Sequence, residues 1–321
     1  MRRALRLSEK GKGFVLPNPM VGAVLVKDGE RIADGYHQAY GHDHAEVMAI
    51  KSAKGETNGA TLYVTLEPCS HHGQTPPCTD AIISAGIKKL VIAAEDPSRD
   101  GIRVLKEAGI EVEVGLLEDE ARKLNKAFYC FHEKKRPYVT LKAALSLDGK
   151  IASEPGSQTK ITHDLSRKLC HVMRHEHHAI LVGAGTVLTD NPRLGVRDIE
   201  GRDPLRLIWK GSRELDTSLN IFRDENYRIL KSESIQELLK EAHELGVQSI
   251  LVEGGSNVHS QFIDSGQWDA MELFYGATIL GNKGVSFYDS NLNHSLKIRN
   301  VRQCGPDILL SVTPSWDSDP S

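Results

Sequence analysis

The chain of 321 residues reads as an α/β protein in two parts. Three observations carry that reading. Helix-period and strand-period stretches alternate through the first part; the charged run Glu133-Lys134-Lys135-Arg136, closed by Pro137, interrupts them; and a second alternating series, with glycines at its strand ends, begins directly afterwards. The expected domains are therefore 1–136 and 137–321, each long enough to bury its own core.

In the first part the pattern predicts a helix over 4–10, a strand over 22–27, a helix over 43–53 and a strand over 61–66. A helix over 79–85, ended by Gly86, precedes a strand over 89–93. A helix over 101–108, a short strand over 112–114 and one charged helix over 118–132 complete it. The second part begins with a strand over 138–145, a turn over 146–150 and a helix over 164–176. Strands over 179–182 and 205–209, a helix over 235–245 and a strand over 249–253 follow. Ser234 and Glu237 form a capping box at the start of the 235–245 helix. After Gly254-Gly255 a short helix leads to strands over 271–280 and 308–312, and the polar tail 314–321 is expected to fray.

A net charge of −3, with Lys and Arg spread along the chain, calls for neither nucleic acid nor an anionic membrane, and leaves a small molecule as the expected partner. Oligomeric state, a homo-oligomer included, stays open. Five cysteines without regular spacing, of which Cys130, Cys170 and Cys304 stand alone, suit a reducing compartment, so the expected location is the cytoplasm. No apolar run approaches the roughly 20 residues that span a bilayer. Met1-Arg2-Arg3 leads into an amphipathic helix and not into a signal-peptide core.

The chemistry is concentrated in His44-Ala45-Glu46 and in Pro68-Cys69-Ser70-His71-His72-Gly73-Gln74-Thr75-Pro76-Pro77-Cys78. One imidazole and two thiolates, His44, Cys69 and Cys78, leave a fourth tetrahedral position open, which a structural zinc site normally closes. With the spare carboxylate of Glu46 alongside, they point to catalytic zinc. Cys69 follows a strand and a Pro, where the chain is expected to open a helical turn, and a helix N-terminus and a metal both lower a thiol's pKa. Closing the loop between the cysteines costs about 2 kcal/mol, against roughly 10 kcal/mol or more from zinc binding. Glu46 is expected to take a proton from water and return it to a leaving amine.

These strings resemble the zinc nucleoside and nucleobase deaminases, with their His-x-Glu and Pro-Cys-x-x-Cys. Here eight residues separate the cysteines instead of two. That loop is similar to the one in the deaminase of riboflavin biosynthesis, and the similarity extends through Pro17-Asn18-Pro19-Met20-Val21-Gly22 and Gly35-Tyr36-His37. The resemblance implies a cytidine-deaminase-like three-layer domain, with Asn18, His37 and His71 lining the substrate pocket. Gln74 stands where the family usually carries a basic residue facing the substrate phosphate, and Met20 where Asn is common. His42 and His72 are expected to be solvated.

In the second part, Lys142, Ser146, Asp148 and Gly149 form Lys-x-x-x-Ser-x-Asp-Gly at a strand end. Gly183-Ala184-Gly185-Thr186 and Val252-Glu253-Gly254-Gly255-Ser256 place glycines after strands, where a backbone can approach a phosphate, the second directly before a helix. The third glycine of the dinucleotide fingerprint is missing, which disfavours a Rossmann domain. With Asp190-Asn191-Pro192-Arg193-Leu194, the set resembles the reductase fused to that deaminase in bifunctional enzymes of riboflavin biosynthesis, and implies a dihydrofolate-reductase-like fold. By motif it implies that Ala144, Thr162, Thr186, Asp190, Gly255 and Ser256 touch NADPH. Ser157, Arg174, Leu194, Arg197 and Glu253 would hold the sugar-phosphate substrate, as guanidinium suits phosphate. Lys142, Asp190 and Glu253 are the candidates for the reductase acid. The segment 158–162 lacks the Trp usual before Ile-Thr, Lys210 replaces an acidic residue, and 222–234 is short.

The expected function is thus bifunctional, with zinc and NADPH as cofactors. The first half would deaminate 2,5-diamino-6-(5-phosphoribosylamino)pyrimidin-4-one and the second would reduce the ribosyl group to ribityl. The alternatives are a deaminase whose second domain only binds product, a nucleoside or tRNA deaminase, and a non-enzymatic module with structural zinc. The last requires a fourth protein ligand, for which His71 is the only nearby candidate.

Overall fold

The structure is a computed structural model that describes residues 1–73 and 75–316. Gln74 and positions 317–321 of the polar tail lie outside the described residues. The chain divides into two units, Met1–Lys134 and Lys135–Ser321.

In the first unit the elements run α1 (Arg2–Ser8), β1 (Gly22–Lys27), β2 (Glu30–Tyr36), α2 (Ala45–Ser52), β3 (Thr61–Leu66) and α3 (Cys78–Ser84). They continue with β4 (Lys89–Ala94), α4 (Gly101–Glu107), β5 (Glu111–Val114), α5 (Glu118–Leu124) and α6 (Lys126–Glu133). The sheet order is β2-β1-β3-β4-β5. Strand β1 is antiparallel to both its neighbours, and β3, β4 and β5 are parallel. Side chains alternate across the sheet. Leu25, Leu62, Leu90 and Ile92 bury against Ala49 of α2, Ile82 of α3 and Leu105 of α4. On the opposite face Val24 meets Ala4 and Leu7 of α1, and Leu66 and Ala93 meet Ala121 of α5 and Phe128 of α6. Three layers result.

Two local features depart from the sequence pattern. Strand β2 was not anticipated, because it contains Gly35; a Cβ there would lie 2.6 Å from Ala45 O and Ala49 N, so the bare backbone is what lets α2 lie on the strand. The helix expected over 118–132 is broken at Asn125, which leaves helical geometry (φ −107°, ψ 30°) and spends its side chain on the backbone of Met20.

The second unit runs β6 (Tyr138–Leu145), β7 (Lys150–Ala152), α7 (Asp164–Glu176), β8 (Ala179–Gly183), α8 (Ala184–Asp190), β9 (Leu205–Trp209) and β10 (Tyr227–Leu230). It ends with α9 (Ile235–Glu244), β11 (Ser249–Val252), α10 (Ser256–Ser265), β12 (Ala270–Tyr275), β13 (Val285–Ser286), β14 (Leu296–Cys304) and β15 (Asp307–Pro314). Eight strands form one sheet, ordered β10-β9-β8-β11-β6-β12-β15-β14. The first six are parallel and the last two antiparallel. Leu141, Leu181 and Ile250 pack under Leu238 of α9 and Phe262 of α10, while Phe274 and Leu309 pack against Cys170 of α7 on the other face. Ser234 caps α9 by accepting from Glu237 N at 3.3 Å.

The strand expected over 271–280 stops at Tyr275, because Gly276 passes so close to Ile161 that a Cβ would sit 2.1 Å from its carbonyl oxygen. Elements β7, α8, β10, β13 and β14 were not anticipated. Strand β14 carries Lys297, Arg299, Asn300, Arg302 and Gln303 on the sheet edge and so lacks an apolar period.

Candidate active sites

His44 is the N-cap of α2 and Cys78 is the first residue of α3, so two helix starts converge. The His44 Nδ1 atom lies 3.3 Å from Cys78 Sγ and 3.6 Å from Cys69 Sγ, and the three potential ligand atoms all fall within 4.8 Å of one another. Cys69 itself does not open a helical turn: residues 67–70 are non-helical, and the helix that follows starts at Cys78. It is instead the Cys78 N–H, at the start of α3, that donates to Cys69 Sγ at 3.4 Å. The hydrogen bond from the Cys78 thiol holds the Cys69 thiol down to about 4, and Cys78, as its donor and deeply buried, is pushed up. Two sulfurs sharing one proton beside an imidazole nitrogen are a donor set suited to zinc.

Glu46 stands in the first turn of α2 and is 3% exposed. Its Oε2 is buried without a hydrogen-bond partner, and burial pushes the carboxyl up to about 7. An orphaned carboxylate oxygen next to a three-ligand cluster is the place for a proton acceptor.

Asn18 and His37 come together beside this cluster. Asn18 Nδ2 donates to His37 Nε2 at 3.1 Å, which puts the ring proton on Nδ1, where it is donated to Asp43 O at 3.1 Å. Burial lowers the His37 pKa, and its ring stands edge-on to His44 with centroids 5.1 Å apart. His71 is exposed next to Arg99 and is not a member of the metal cluster. His42 and His72 are exposed. The sequence reading missed Glu67, which is 6% exposed and accepts from Asp96 N (3.1 Å) and Ile102 N (2.9 Å). With Gly101 packed so tightly that a Cβ would lie 2.0 Å from Pro68 O, Glu67 anchors the strand end from which Cys69 hangs. An acid at the end of an apolar strand, directly before Pro68-Cys69, was the available signal.

In the second unit a cavity of about 1510 Å³ opens across the C-terminal ends of the parallel strands. Of the expected residues, Lys142, Ala144, Ser157, Thr186, Asp190, Glu253, Gly255 and Ser256 line it; Thr162, Arg174, Leu194 and Arg197 do not. The Ser256 hydroxyl, at the start of α10, is buried without a partner, as a residue awaiting a polar ligand would be. Ser157 Oγ donates to Glu154 O at 2.9 Å, and Gln158 Nε2 to Asp190 O at 2.8 Å. These features fit a dinucleotide laid over strand ends.

Arg174 is turned onto Glu253 by two hydrogen bonds, Nε to Oε1 at 2.8 Å and Nη2 to Oε2 at 2.9 Å, while Lys142 Nζ lies 3.5 Å from Oε2. Burial would raise the Glu253 carboxyl, yet the two cations hold it well below the usual carboxylate range. Leu194 is 4% exposed and packs with Val182 and Ile208. The Arg197 N–H donates to His171 Nδ1 at 3.3 Å, and Arg174 Nη1 donates to Gly195 O at 3.2 Å, so the residues expected to meet substrate surround His171, which the sequence reading did not single out.

Comparison with known proteins follows the same division. The family model of the cytidine and deoxycytidylate deaminase zinc-binding region matches residues 1–94, and that of the RibD C-terminal domain matches residues 137–310. Riboflavin biosynthesis protein RibD of Aquifex aeolicus (strain VF5) is 41% identical, over 97% of this chain and 96% of that one. Acinetobacter baumannii RibD (form 1) superposes with a TM-score of 0.93 at 33% identity, covering 98% of this chain and 97% of that one. The diaminohydroxyphosphoribosylaminopyrimidine deaminase/5-amino-6-(5-phosphoribosylamino)uracil reductase of Thermotoga maritima superposes with a TM-score of 0.86 at 43% identity and the same coverage. Matched from end to end on both of its units, the chain belongs to the RibD family of bifunctional deaminase/reductase proteins of riboflavin biosynthesis.

Proposed function

We propose that this chain carries out two successive steps: hydrolytic deamination of 2,5-diamino-6-(5-phosphoribosylamino)pyrimidin-4-one in the first unit, then reduction of the ribosyl side chain to ribityl in the second. The observation that carries the first step is Glu46 Oε2, buried and unpartnered beside the three-ligand cluster. His44, Cys69 and Cys78 would hold zinc, which acidifies water and so supplies the nucleophile for hydrolysis. Glu46 Oε2 accepts the proton of that water and hands it to the departing ammonia. Asn18 and His37, locked in one tautomeric arrangement, orient the ring, and His71 closes the exposed side of the pocket.

In the second unit NADPH supplies the hydride. Ala144, Thr186, Asp190, Gly255 and Ser256 bind it along the cavity. Thr162, 9% exposed, does not line that cavity. The Glu253 carboxylate is held deprotonated by Arg174 and Lys142 and has no proton to give, so Lys142, which lines the cavity, is the better acid. Arg174, Arg197 and Leu194 would hold the sugar-phosphate from the cluster around His171, off the cavity wall, while Ser157 lines the cavity itself. Among the described residues no helix is long and apolar enough to cross a membrane. The five cysteines are unbridged, which suits the cytoplasm.

The test is to supply the phosphoribosylamino pyrimidine to the purified zinc-loaded chain and follow ammonia and NADPH. Ammonia released without NADPH, and NADPH oxidised only after ammonia appears, is the expected order. Release of no ammonia, or oxidation of NADPH ahead of it, contradicts the proposal.

A further inference from the structure

The segment from Asn191 to Asp198, which leads out of α8, has no regular secondary structure and carries three non-glycine residues in the left-handed region: Asn191 (φ 39°), Leu194 (φ 52°) and Asp198 (φ 64°). Such backbone persists only where its surroundings hold it. Two sets of contacts hold this strap. On one side Asp203 Oδ1 accepts from the Val196 N–H at 2.6 Å, and Arg223 bridges Asp203 Oδ2, at 2.9 Å, to the Arg193 carbonyl. A side chain at position 195 would not fit there, since a Cβ on Gly195 would lie 2.9 Å from Asp203 Oδ2. On the other side stands α7, which presents His171 and Arg174 on one face. Arg174 gives the strap only its Nη1, to Gly195 O at 3.2 Å, because its Nε and Nη2 are committed to Glu253.

The hold on Arg197 itself falls to His171. The ring is 6% exposed, and its Nδ1 accepts the Arg197 N–H at 3.3 Å, which puts the ring proton on Nε2 and keeps a lone pair on Nδ1. Burial, followed by the Arg174 and Arg197 guanidiniums, lowers the His171 pKa, and the Gly195 carbonyl and the Asp198 carboxylate oppose this only in part. The neutral ring that can accept is therefore the form the fold favours. Beyond its backbone bond, the Arg197 side chain is exposed and makes no ion pair among the described residues, so its charge is available to an anion.

We infer that His171 is a positioning residue of the second unit: by gripping the Arg197 backbone it fixes the strained 191–198 strap in the form that presents Arg197 to the sugar-phosphate. The inference rests on the reductase reading, in which Arg197 meets that substrate.

The test is steady-state reduction of separately supplied deaminated product by the full-length chain, with NADPH binding followed by nicotinamide fluorescence. His171→Leu keeps the bulk of the side chain but offers no acceptor. His171→Asn returns one, because its Oδ1 falls where Nδ1 was. A hydrogen bond that steadies a substrate-holding residue acts equally in the ground and transition states, so His171→Leu should raise the KM for the product about tenfold with kcat little changed. His171→Asn should recover most of that loss, and both variants should bind NADPH as the wild-type chain does. A His171→Leu chain with the wild-type KM overturns the inference. So does a His171→Asn chain as impaired as His171→Leu, or a KM that rises only together with a loss of NADPH affinity, since general loosening of the unit would produce either. Should Leu prevent folding, His171→Ala set against His171→Asn makes the same comparison. A wild-type chain that reduces no product overturns the reductase reading and the inference with it.

Discussion

Asn125 grips Met20 from both sides, its Oδ1 accepting from the Met20 N–H at 2.8 Å and its Nδ2 donating to the Met20 carbonyl at 2.9 Å. The two residues are 105 positions apart, and Met20 sits two residues after Asn18. A break between α5 and α6 therefore steadies the segment that faces the zinc cluster. Replacing Asn125 by Ala strands both backbone groups. The first unit should lose about 1–3 kcal/mol of stability, and the substrate KM for ammonia release should rise because Asn18 is less well held. Melting and steady-state kinetics check both; an unchanged melting temperature would contradict the role given to this pair.

The Arg174–Glu253 pair makes a second prediction. Both side chains are about one-tenth exposed, and Lys142 at 3.5 Å is the carboxylate's remaining cation. Removing Arg174 leaves a buried charge half compensated, so Arg174→Ala should destabilise the second unit by about 3–5 kcal/mol. Arg174→Lys should recover only part of this, because an ammonium cannot make the two parallel bonds. Ammonia release, belonging to the other unit, should persist in both variants under conditions where the chain stays folded.

Acid should weaken the second unit through His259. Its Nδ1 lies 3.2 Å from Gly255 O, its Nε2 is buried without a partner, the Phe287 ring lies tilted against it with centroids 4.8 Å apart, and the Lys142 ammonium repels its charged form. Burial holds its pKa down to about 4. Since the unfolded chain protonates near pH 6.5, unfolding takes up a proton anywhere between the two values. The stability linked to this neutral ring is complete above about pH 6.5 and is lost on descent to about pH 4, a difference of about 3 kcal/mol. In His259→Gln the slope of Tm against pH over that window should flatten. An unaltered slope would assign the acid sensitivity elsewhere.

Zinc should be separable from the second activity. Cys69→Ala and Cys78→Ala each remove a sulfur from a three-member cluster, so zinc content should fall close to zero and ammonia release with it. Binding of NADPH, measured by nicotinamide fluorescence, should survive in both variants and after chelation of the wild-type chain. Loss of NADPH binding on chelation would show that the metal serves the second unit too.

Much of this was legible in the residues because the signals were local. His44, Glu46, Cys69 and Cys78 lie in two short strings, and the apolar runs of β3, β4, β6 and β11 are buried on both faces of their sheets and so announce themselves. What escaped depends on contacts between distant positions. Gly35 weakens β2 as a strand in order to admit α2, Asn125 trades helical geometry for Met20, and β14 is polar because it sits on an edge. Glu67 and the cations at Lys210 and Lys231 look like surface charges until the fold brings one under Pro68 and the others to a cavity wall.

The central claim is that Glu46 moves the proton in a zinc-dependent deamination, and the most direct measurement is ammonia release by Glu46→Gln at confirmed wild-type zinc content. Glutamine keeps the shape of the side chain but accepts no proton, so the rate should fall by roughly 10²–10⁴-fold, while reduction of separately supplied deaminated product by NADPH proceeds unchanged. Ammonia release at the wild-type rate, with zinc in place, would contradict it.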